Sequence, residues 1–472
     1  MFKRMIYPVY DFVTSAFRGF ESPEERKKFS ILSVLFGLTI GVYWILRPLK
    51  DGVFLTMVGS DWQPRVKIYS MFVIIPVVFF YEWLVSRYLR HQVLYGLFIF
   101  YTIATAVFAY FILHETIGMG NTVASTDRYL GWAFYLFVET YGSIMVMLFW
   151  SFVADTTTPE SAKRGYPLVV LGAQVGGVAG PLIAQVFMPE ESLSNAATAA
   201  NGSGVVAAMC VLLLAIIPAI VYYFMHNVSK DQLEGFHAKD NKPLEGKPKP
   251  GFFEGLTLLF TRPYLLGIFV VVSFYEIIVT FLDYRFKVLA KLAYTGDSLT
   301  HYLFKYAVWT NFVAFLCIAF GLGKVANKLG LKKTLLLLPV LVTVAFVTLS
   351  FKPVLMVAFV IMVFSKGVNY ALNQPAKEQL YIPTTKDTKY KAKAWIDAFG
   401  SRFSKGSASV INDMPKWSAG LPEWLRWLQC TPEMLMTVTM ITSFGLVGIW
   451  VYAALFLAKT HTQAIKENRT VC

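Results

Sequence analysis

Charged residues stand inside the first apolar stretch of the chain. Residues 29–58 read FSILSVLFGLTIGVYWILRPLKDGVFLTMV, and Arg47, Lys50 and Asp51 interrupt the run. An ionised side chain at the centre of a membrane helix costs about 2.5–3.5 kcal/mol and is tolerated where it faces a bundle interior or a wet cavity. Pro48 is expected to kink the helix there and to free a carbonyl group. The pattern predicts a cationic site for an anionic solute; the alternative is that Arg47 and Lys50 reach a membrane interface from a short helix end.

Polar side chains recur at helical spacing in other apolar stretches. Asp397, Ser401 and Lys405 follow one another every four residues, so they share one helix face that is expected to line water. Any single embedded charge is explained by a structural ion pair, whereas the whole set favours a functional cavity. The other embedded polar residues are Glu139, Tyr141, Glu276, Thr280, Asp283, Lys287, Lys366, Asn369, Asn373, Lys377, Glu378 and Arg402.

The embedded cations slightly outnumber the embedded anions. The cations are Arg47, Lys50, Lys287, Lys366, Arg402 and Lys405, and the anions are Asp51, Glu139, Glu276, Asp283 and Asp397. A cavity of mixed sign with extra cations suits a phosphate-bearing zwitterion better than a sugar.

Composition indicates an integral membrane protein. Of the 472 residues, 56% are hydrophobic and only 15% are charged. The first apolar stretch is too long for a signal-peptide core, so it is expected to remain as a helix. Much of the formal net charge of +14 lies in loops, where Lys and Arg record topology, so nucleic-acid binding is not expected. The four scattered cysteines predict neither a disulfide framework nor a metal site.

Twelve apolar stretches can position these residues in membrane-spanning helices. They lie near 29–58, 68–86, 93–113, 130–153, 167–188, 204–225, 263–289, 302–322, 334–351, 354–374, 394–411 and 432–458. The layout predicts an all-α membrane protein with twelve transmembrane helices in two pseudo-symmetric six-helix lobes, as in two-lobed secondary transporters. The predicted parts are an amphipathic segment 1–28, an N-terminal lobe 29–225, a linker 226–262 containing GKPKPG at 246–251, a C-terminal lobe 263–458 and a tail 459–472.

Basic residues predict the orientation of these helices. With the N-terminus inside, most basic loops face the cytoplasm, whereas the opposite loops 114–129 and 189–203 contain only Arg128. Both termini, the linker and the tail are therefore expected in the cytoplasm. The basic turn at 321–333, GLGKVANKLGLKK, resembles the loop motif of the major facilitator superfamily. In the fifth stretch, Ala173 to Gly180 are small residues suited to close helix packing.

Several longer strings resemble the ATP/ADP translocase family, the nucleotide transporters of obligate intracellular bacteria and plastids. They are RPLKD at 47–51, AKRGYPL at 162–168, AKEQLYIP at 376–383, AKAWID at 392–397 and GSRFSK at 400–405. The resemblance runs through nearly the whole chain and implies a major-facilitator-like fold that exchanges ATP for ADP by alternating access. The alternative is proton-coupled uptake of a nucleotide, NAD or another organic phosphate. A bacterial cytoplasmic membrane, a monomer and no cofactor are expected.

The resemblance also implies roles for individual residues. The family's first-span lysine maps onto Lys50 and its fourth-span glutamate onto Glu139. In the seventh span the family has a glutamate four residues before a lysine; here Asp283 and Lys287 hold those places, and the surrounding residues diverge. Glu139, Glu276 and Asp283 are the candidates for coupling. The predicted substrate-binding residues are Arg47, Lys50, Asp51, Glu139, Tyr141, Asp283, Lys287, Asn373, Lys377, Asp397, Arg402 and Lys405.

A mechanism follows from this set. We expect the phosphates to be bound by four cations, because Arg can hold phosphate with two parallel hydrogen bonds and Lys acts as a point charge; these are Arg47, Lys50, Arg402 and Lys405. The rings that could stack on a base are Tyr43, Trp44 and Tyr141. A membrane enzyme acting on phosphate esters is the remaining alternative. Residues 400–407, GSRFSKGS, have the wrong order for a phosphate-binding loop, and the sequence lacks HExxH and GxSxG, so we predict a transporter.

Overall fold

The computed structural model describes residues 10, 13–14, 16–121, 123–188, 201–233, 254–320, 322–385, 393, 395–467 and 469–471. Much of the predicted N-terminal segment before residue 16, the GKPKPG string and most of the linker 226–262 lie outside the described residues, as do 189–200 and 386–392. Within the described residues the chain is helical and contains no β-strand, which confirms the all-α prediction.

Helices occupy the predicted membrane stretches. In the first half they are α1 Pro23–Met57, α2 Gln63–Arg87, α3 Arg90–Leu113, α4 Tyr129–Asp155, α5 Pro159–Val186 and α6 Gly202–Asn227. In the second half they are α7 Pro263–Ala293, α8 Gly296–Ala319, α9 Leu322–Phe351, α10 Leu355–Val368, α11 Ser401–Asn412 and α12 Pro432–Lys466. Among the described residues, ten helices, α1–α9 and α12, are long and apolar enough to cross a membrane. The chain is therefore a multi-pass membrane protein, and the count of twelve spans stays a prediction.

The two shorter helices, α10 and α11, are flanked by π-helical segments. Asn369–Asn373 follows α10 and leads into a short helix, Gln374–Leu380, and Trp395–Gly400 precedes α11. Such segments are rare and frequently occur at functional sites. By contrast, α1 is continuous from Pro23 to Met57, with Pro48 inside it.

Three helices begin with the same short pattern, a hydroxyl residue followed by Pro and Glu. The side chain of Ser22 accepts a hydrogen bond from the backbone N–H of Glu25 at the start of α1. Thr158 and Thr431 cap α5 and α12 in the same way, and each is followed by a proline in the first turn. The hydroxyl satisfies an unpaired helix N–H, and proline already has the φ of the first turn. These starts are therefore encoded locally.

The helices form two compact units. The N-terminal unit consists of Met1–Ser60, Phe72–Gly246 and Ala290–Phe312, so it includes the end of α7 and much of α8. The C-terminal unit consists of Asp61–Met71, Lys247–Leu289 and Val313–Cys472, so it includes the start of α2. Each unit thus contains a segment that the sequence places in the other half of the chain.

Glycines let α1 and α5 approach closely in the N-terminal unit. A Cβ atom added to Gly37 would lie 2.9 Å from the carbonyl oxygen of Gly172, and one added to Gly180 would lie 2.6 Å from that of Gly41. These distances are shorter than real side chains tolerate, so a larger residue would push the helices apart. The close packing predicted for Ala173 to Gly180 is confirmed.

Candidate functional site

The N-terminal unit contains a buried charged group centred on Lys50 of α1. The Nζ of Lys50 lies 2.8 Å from Oε1 of Glu139 and 3.5 Å from Oδ1 of Asp51. It also lies 3.6 Å from the ring centroid of Tyr135. Lys50 exposes only 4% of its surface. A buried ammonium needs such partners, since an unpaired charge is strongly disfavoured away from water. These four residues are the Lys50 cluster.

Helical spacing explains how α4 presents two of these groups. Tyr135 and Glu139 are four residues apart, so they lie on one face of α4, and both contact the ammonium of Lys50. Lys50 and Asp51 are neighbours in sequence, so their side chains leave α1 in different directions. The Lys50–Asp51 distance is therefore longer than the Lys50–Glu139 distance. The cluster therefore joins α1 to α4 through one cation, two carboxylates and an aromatic ring.

Arg47 lies one turn before Lys50 and contacts aromatic rings of its own helix. Its Nη1 donates to the Tyr43 hydroxyl at 3.3 Å, and its Cζ lies 5.1 Å from the ring centroid of Trp44. Cation–π contacts of this kind hold a guanidinium in place. Two of the rings predicted to stack on a base, Tyr43 and Trp44, thus contact this arginine.

Tyr141 has a packing role in this structure. It is fully buried, its hydroxyl donates to the backbone carbonyl of Thr39 at 3.1 Å, and its ring meets Tyr101 edge to face at 5.1 Å. A base cannot reach a ring with no exposed surface, so this geometry does not support the predicted stacking by Tyr141. The sequence could not show whether Tyr141 packs in the core or lines a cavity, because aromatic residues are common in both places in membrane proteins.

The C-terminal unit contains a second buried charged group, centred on Asp283 of α7. One carboxylate oxygen lies 2.9 Å from Nζ of Lys287 and 3.0 Å from Nζ of Lys67, and the other lies 3.3 Å from Nζ of Lys366. Asp283 and Lys287 expose 8% and 5% of their surfaces. The four side chains together have a formal charge of +2. They are the Asp283 cluster.

Three helices build the Asp283 cluster. Asp283 and Lys287 are one turn apart on α7, as their spacing predicts. Lys67 comes from the start of α2 and Lys366 from the last turn of α10, immediately before the π-helical segment. The formal surplus of positive charge suits this group of side chains to receive a further anion.

Other predicted residues lie elsewhere in the C-terminal unit. The Nζ of Lys405 is 3.4 Å from Oε2 of Glu276, and both side chains are partly exposed. Asn373 is buried and donates to Oδ1 of Asn369 at 2.8 Å. Lys377 is buried in the short helix after it, and Arg402 is half-buried at the start of α11.

Asp397 lies in the π-helical segment Trp395–Gly400, and its side chain is outside the described residues. A π-helical turn holds more residues than an α-helical turn. The α-helical spacing assumed for Asp397, Ser401 and Lys405 therefore holds only from Ser401 onward.

Sequence reasoning missed Lys67 and Tyr135. Lys67 precedes the predicted stretch 68–86 and looks like an ordinary flanking charge. Under the predicted orientation, however, it stands with Arg65 in an outer loop, where basic residues are unexpected, and this exception could have identified it. For Tyr135, the only feature of the sequence that could have indicated a place in the site is its spacing of four residues from Glu139.

Comparison with known proteins identifies the family. A family model described as the TLC ATP/ADP transporter matches residues 13–461. The chain belongs to the TLC ATP/ADP transporter family. The recognition made from short strings such as RPLKD and AKEQLYIP is therefore confirmed.

Curated members of this family resemble the chain over most of its length. "ADP,ATP carrier protein 1" of Chlamydia muridarum is 26% identical in an alignment of 445 positions that covers 82% of this chain and 81% of that protein. "ADP,ATP carrier protein 1" of Rickettsia bellii is 22% identical, covering 94% of this chain and 95% of that protein. A chloroplastic ADP,ATP carrier protein of Arabidopsis thaliana is 25% identical, covering 84% and 69%.

Solved transporter structures share the fold. The nucleoside transporter NupG matches with a TM-score of 0.58 at 12% identity, covering 91% of this chain and 98% of that one. A D-xylose–proton symporter matches with a TM-score of 0.58 at 15% identity, covering 91% and 96%. The fold is thus major-facilitator-like, as predicted. Because the family is one of transporters, this member is a transporter and not an enzyme.

Proposed function

We propose that this TLC family member exchanges ATP and ADP across a bacterial cytoplasmic membrane by alternating access, as a monomer with both termini in the cytoplasm. The Asp283 cluster binds the phosphates. The observation that carries the proposal is the three lysine ammonium groups within 3.3 Å of the buried Asp283 carboxylate. The family's curated relatives, named as ADP,ATP carriers, support the choice of substrate.

The Asp283 carboxylate holds the ammonium groups in place before the substrate arrives. A phosphate chain has several anionic oxygens, so it can take over Lys67 and Lys366 while Lys287 stays paired with its i, i+4 partner. The three lysines then never lack a negative partner, which avoids the cost of an isolated buried charge. Because Lys67 and Lys366 come from α2 and α10, binding of phosphate changes how these helices are held to α7. This change couples substrate binding to conformation.

The Lys50 cluster has the opposite balance of charge, with more carboxylates than ammonium groups. We assign it to the coupling of transport to its driving force. Its single ammonium already has two carboxylate partners, and the Glu139 side chain keeps 26% of its surface exposed. A part-exposed carboxylate inside a membrane segment is the kind of residue that forms proton relays. This observation favours proton-coupled nucleotide uptake as the second candidate function.

Counterflow in proteoliposomes tests the proposal. Vesicles loaded with ADP are expected to accumulate labelled ATP, whereas empty vesicles and vesicles loaded with AMP, NAD or a sugar phosphate are not. Equal uptake into empty vesicles would contradict exchange. Uptake driven equally by every loaded phosphate would contradict the nucleotide assignment.

A potential and a pH gradient separate the two coupling modes. Exchange of a tetra-anion for a tri-anion moves one net charge, worth about 2.3 kcal/mol per 100 mV. Exchange should therefore respond to a potassium-diffusion potential set with valinomycin and should be insensitive to an imposed pH gradient. Uptake that follows the pH gradient at clamped zero potential would support the proton-coupled alternative.

A further inference from the structure

A separate cavity of about 830 Å³ lies inside the C-terminal unit. Its lining residues come from α7, from the start of α2 and the residues just before it, and from the ends of α9 and α11. The start of α12, the residues just before it and the short helix Met414–Ala419 complete the lining. None of the four residues of the Asp283 cluster is among its lining residues. The volume is within the range of small-molecule sites, about 300–1,000 Å³. Neither the family nor the proposed exchange assigns it a role.

The walls of this cavity are mostly apolar. Aliphatic and aromatic side chains from three long helices contribute to it, and all are more than nine-tenths buried: Phe281, Leu282, Phe346, Leu349 and Leu435. A nucleotide offers ribose hydroxyls and base edges that such walls cannot pair. A hydrocarbon chain, by contrast, would gain by contact with them.

Cations dominate the polar end of the cavity. Three of its four charged lining residues are basic, Arg65, Arg285 and Lys416, and the fourth is Asp61. The ring of Trp62 organises two of the cations, since Nζ of Lys416 lies 3.9 Å and Cζ of Arg65 lies 4.6 Å from its centroid. We refer to the whole space as the basic cavity.

Arg285 is the residue that most directly indicates a ligand site. Within the described part of the chain, its Nε is buried and has no hydrogen-bond partner. A guanidinium N–H left unpaired in a buried place is unfavourable, so a bound acceptor would satisfy it. Arg65, a second basic residue of the cavity, has a local partner, because its Nε donates to Oδ2 of Asp413 at 2.9 Å.

An adjoining cavity extends from the same arginine along α12. It has a volume of about 360 Å³ and shares Arg285, Ser350 and Met436 with the basic cavity. Close by on α9 and α12, Phe351 and Ile441 are exposed at 83% and 64%. Exposed apolar residues on spanning helices face lipid, so the basic cavity lies near the acyl chains of the membrane.

We propose that the basic cavity binds one anionic glycerophospholipid. Its phosphate contacts Arg285, Lys416 and Arg65, and one acyl chain lies against the apolar walls. Basic pockets among membrane helices bind anionic headgroups in this way. The site goes beyond nucleotide exchange, because no residue of the two charged clusters takes part in it.

The test measures the melting temperature of the delipidated full-length protein in detergent. The probes are phosphatidylglycerol, phosphatidylcholine with the same acyl chains, and soluble glycerol phosphate. Phosphatidylglycerol is expected to raise the melting temperature saturably, while the other two do not. Equal stabilisation by phosphatidylcholine would overturn the anionic headgroup, and a response to glycerol phosphate alone would make this a site for a free anion.

Variants then assign the binding to this cavity. Arg285→Gln is expected to raise about tenfold the phosphatidylglycerol concentration that gives half of the maximal rise in melting temperature. A tenfold change corresponds to the loss of one charged hydrogen-bonding group. The matched control is Lys352→Gln, an exposed basic residue two positions after Ser350. If Arg285→Gln does not fold, Lys416→Gln takes its place. An unchanged response in the variant, or the same loss in the control, would overturn the proposal.

The apolar half of the site has its own variant. Leu435→Trp places a larger ring in the cavity and is expected to reduce the response to phosphatidylglycerol. Its neighbour Met434 is 49% exposed, so Met434→Trp is the control and should bind normally. Equal binding by both variants would contradict an acyl chain in this cavity. Neither position belongs to a charged cluster, so nucleotide exchange in both variants tests the proposed function separately.

Discussion

The Lys50 cluster and the Asp283 cluster are built from the same two chemical groups in opposite proportions. In the first, one ammonium contacts the carboxylates of Asp51 and Glu139. In the second, one carboxylate contacts the ammonium groups of Lys67, Lys287 and Lys366. Counting only these ion pairs, the first has a formal charge of −1 and the second of +2. By formal charge, the second cluster is therefore the more favourable partner for an anionic solute.

The difference is the reason for the proposed division of roles between the two clusters. A surplus of cations is useful where phosphates bind, because ammonium groups are favourable partners for phosphate oxygens. A surplus of carboxylates is useful where protons are relayed, since Asp and Glu side chains within membrane segments mark proton pathways. The predictions below test this division in order of decreasing effect.

Lys50→Ala is expected to have the largest effect. It removes the ammonium shared by the buried Asp51 and the half-buried Glu139, and breaking a buried pair costs about 3–5 kcal/mol of stability. Exchange should fall to the level of vesicles without protein, measured by ADP-loaded counterflow. The double variant Lys50→Ala with Glu139→Gln should regain stability without regaining exchange. Wild-type exchange in Lys50→Ala would remove the Lys50 cluster from the mechanism.

Asp283→Asn removes the carboxylate shared by three ammonium groups, so its cost in stability is also expected to be that of a broken buried ion pair, about 3–5 kcal/mol. The informative readout is the melting temperature with and without ATP. The nucleotide should stabilise this variant more than wild type, since its phosphates replace the missing negative charge. Lys50→Ala should show no such gain. Asp127→Asn, in an exposed loop, is the charge-matched control. Equal stabilisation of variant and wild type by ATP would contradict phosphate binding at this cluster.

Neutralising one lysine of the Asp283 cluster at a time should mainly weaken substrate binding. Lys67→Gln and Lys366→Gln each remove one charged hydrogen-bond donor, so the KM for ATP should rise about tenfold in each. Lys332→Gln changes an exposed lysine and should leave the KM unchanged. Initial rates of labelled ATP uptake over a concentration series provide the measurement. If kcat falls at constant KM, the lysines act on conformational change and not on binding.

Glu276→Gln is expected to have the smallest effect on stability. Its pair with Lys405 has a separation of 3.4 Å, and the two side chains are 22% and 45% exposed. Partly exposed pairs contribute about 0.2–1 kcal/mol, so the melting temperature should barely change. A loss as large as that of Lys50→Ala would show that the pair belongs with the buried clusters.

Local patterns account for much of what could be predicted. The apolar stretches and the embedded charges in them led to the membrane class, and the strings around 47–51 and 376–405 led to the family. The i, i+4 pair of Asp283 and Lys287 follows from helix geometry, and so does the glycine-rich packing face of Ala173 to Gly180. All of these depend on residues close together in the sequence, where helical spacing alone determines which side chains meet.

Contacts between distant helices could not be predicted in the same way. Lys67 is 216 residues from Asp283, and Lys366 is 83 residues from it, so no spacing rule brings the three together. Tyr141 and Tyr135 look alike in the sequence, yet one is packed against Tyr101 and the other contacts Lys50. The π-helical segments beside α10 and α11 were also missed, because spacing rules assume a regular α-helix.

The sequence by itself determined the membrane class, the family and the residues that carry charge into the bilayer, because hydropathy and helical periodicity are local properties. Only the tertiary structure decided which of those charges share a partner. Pairing depends on which faces of α1, α2, α4, α7 and α10 pack together, and a buried charge is stabilised by whatever group lies within a few ångströms, however far away it is in the chain.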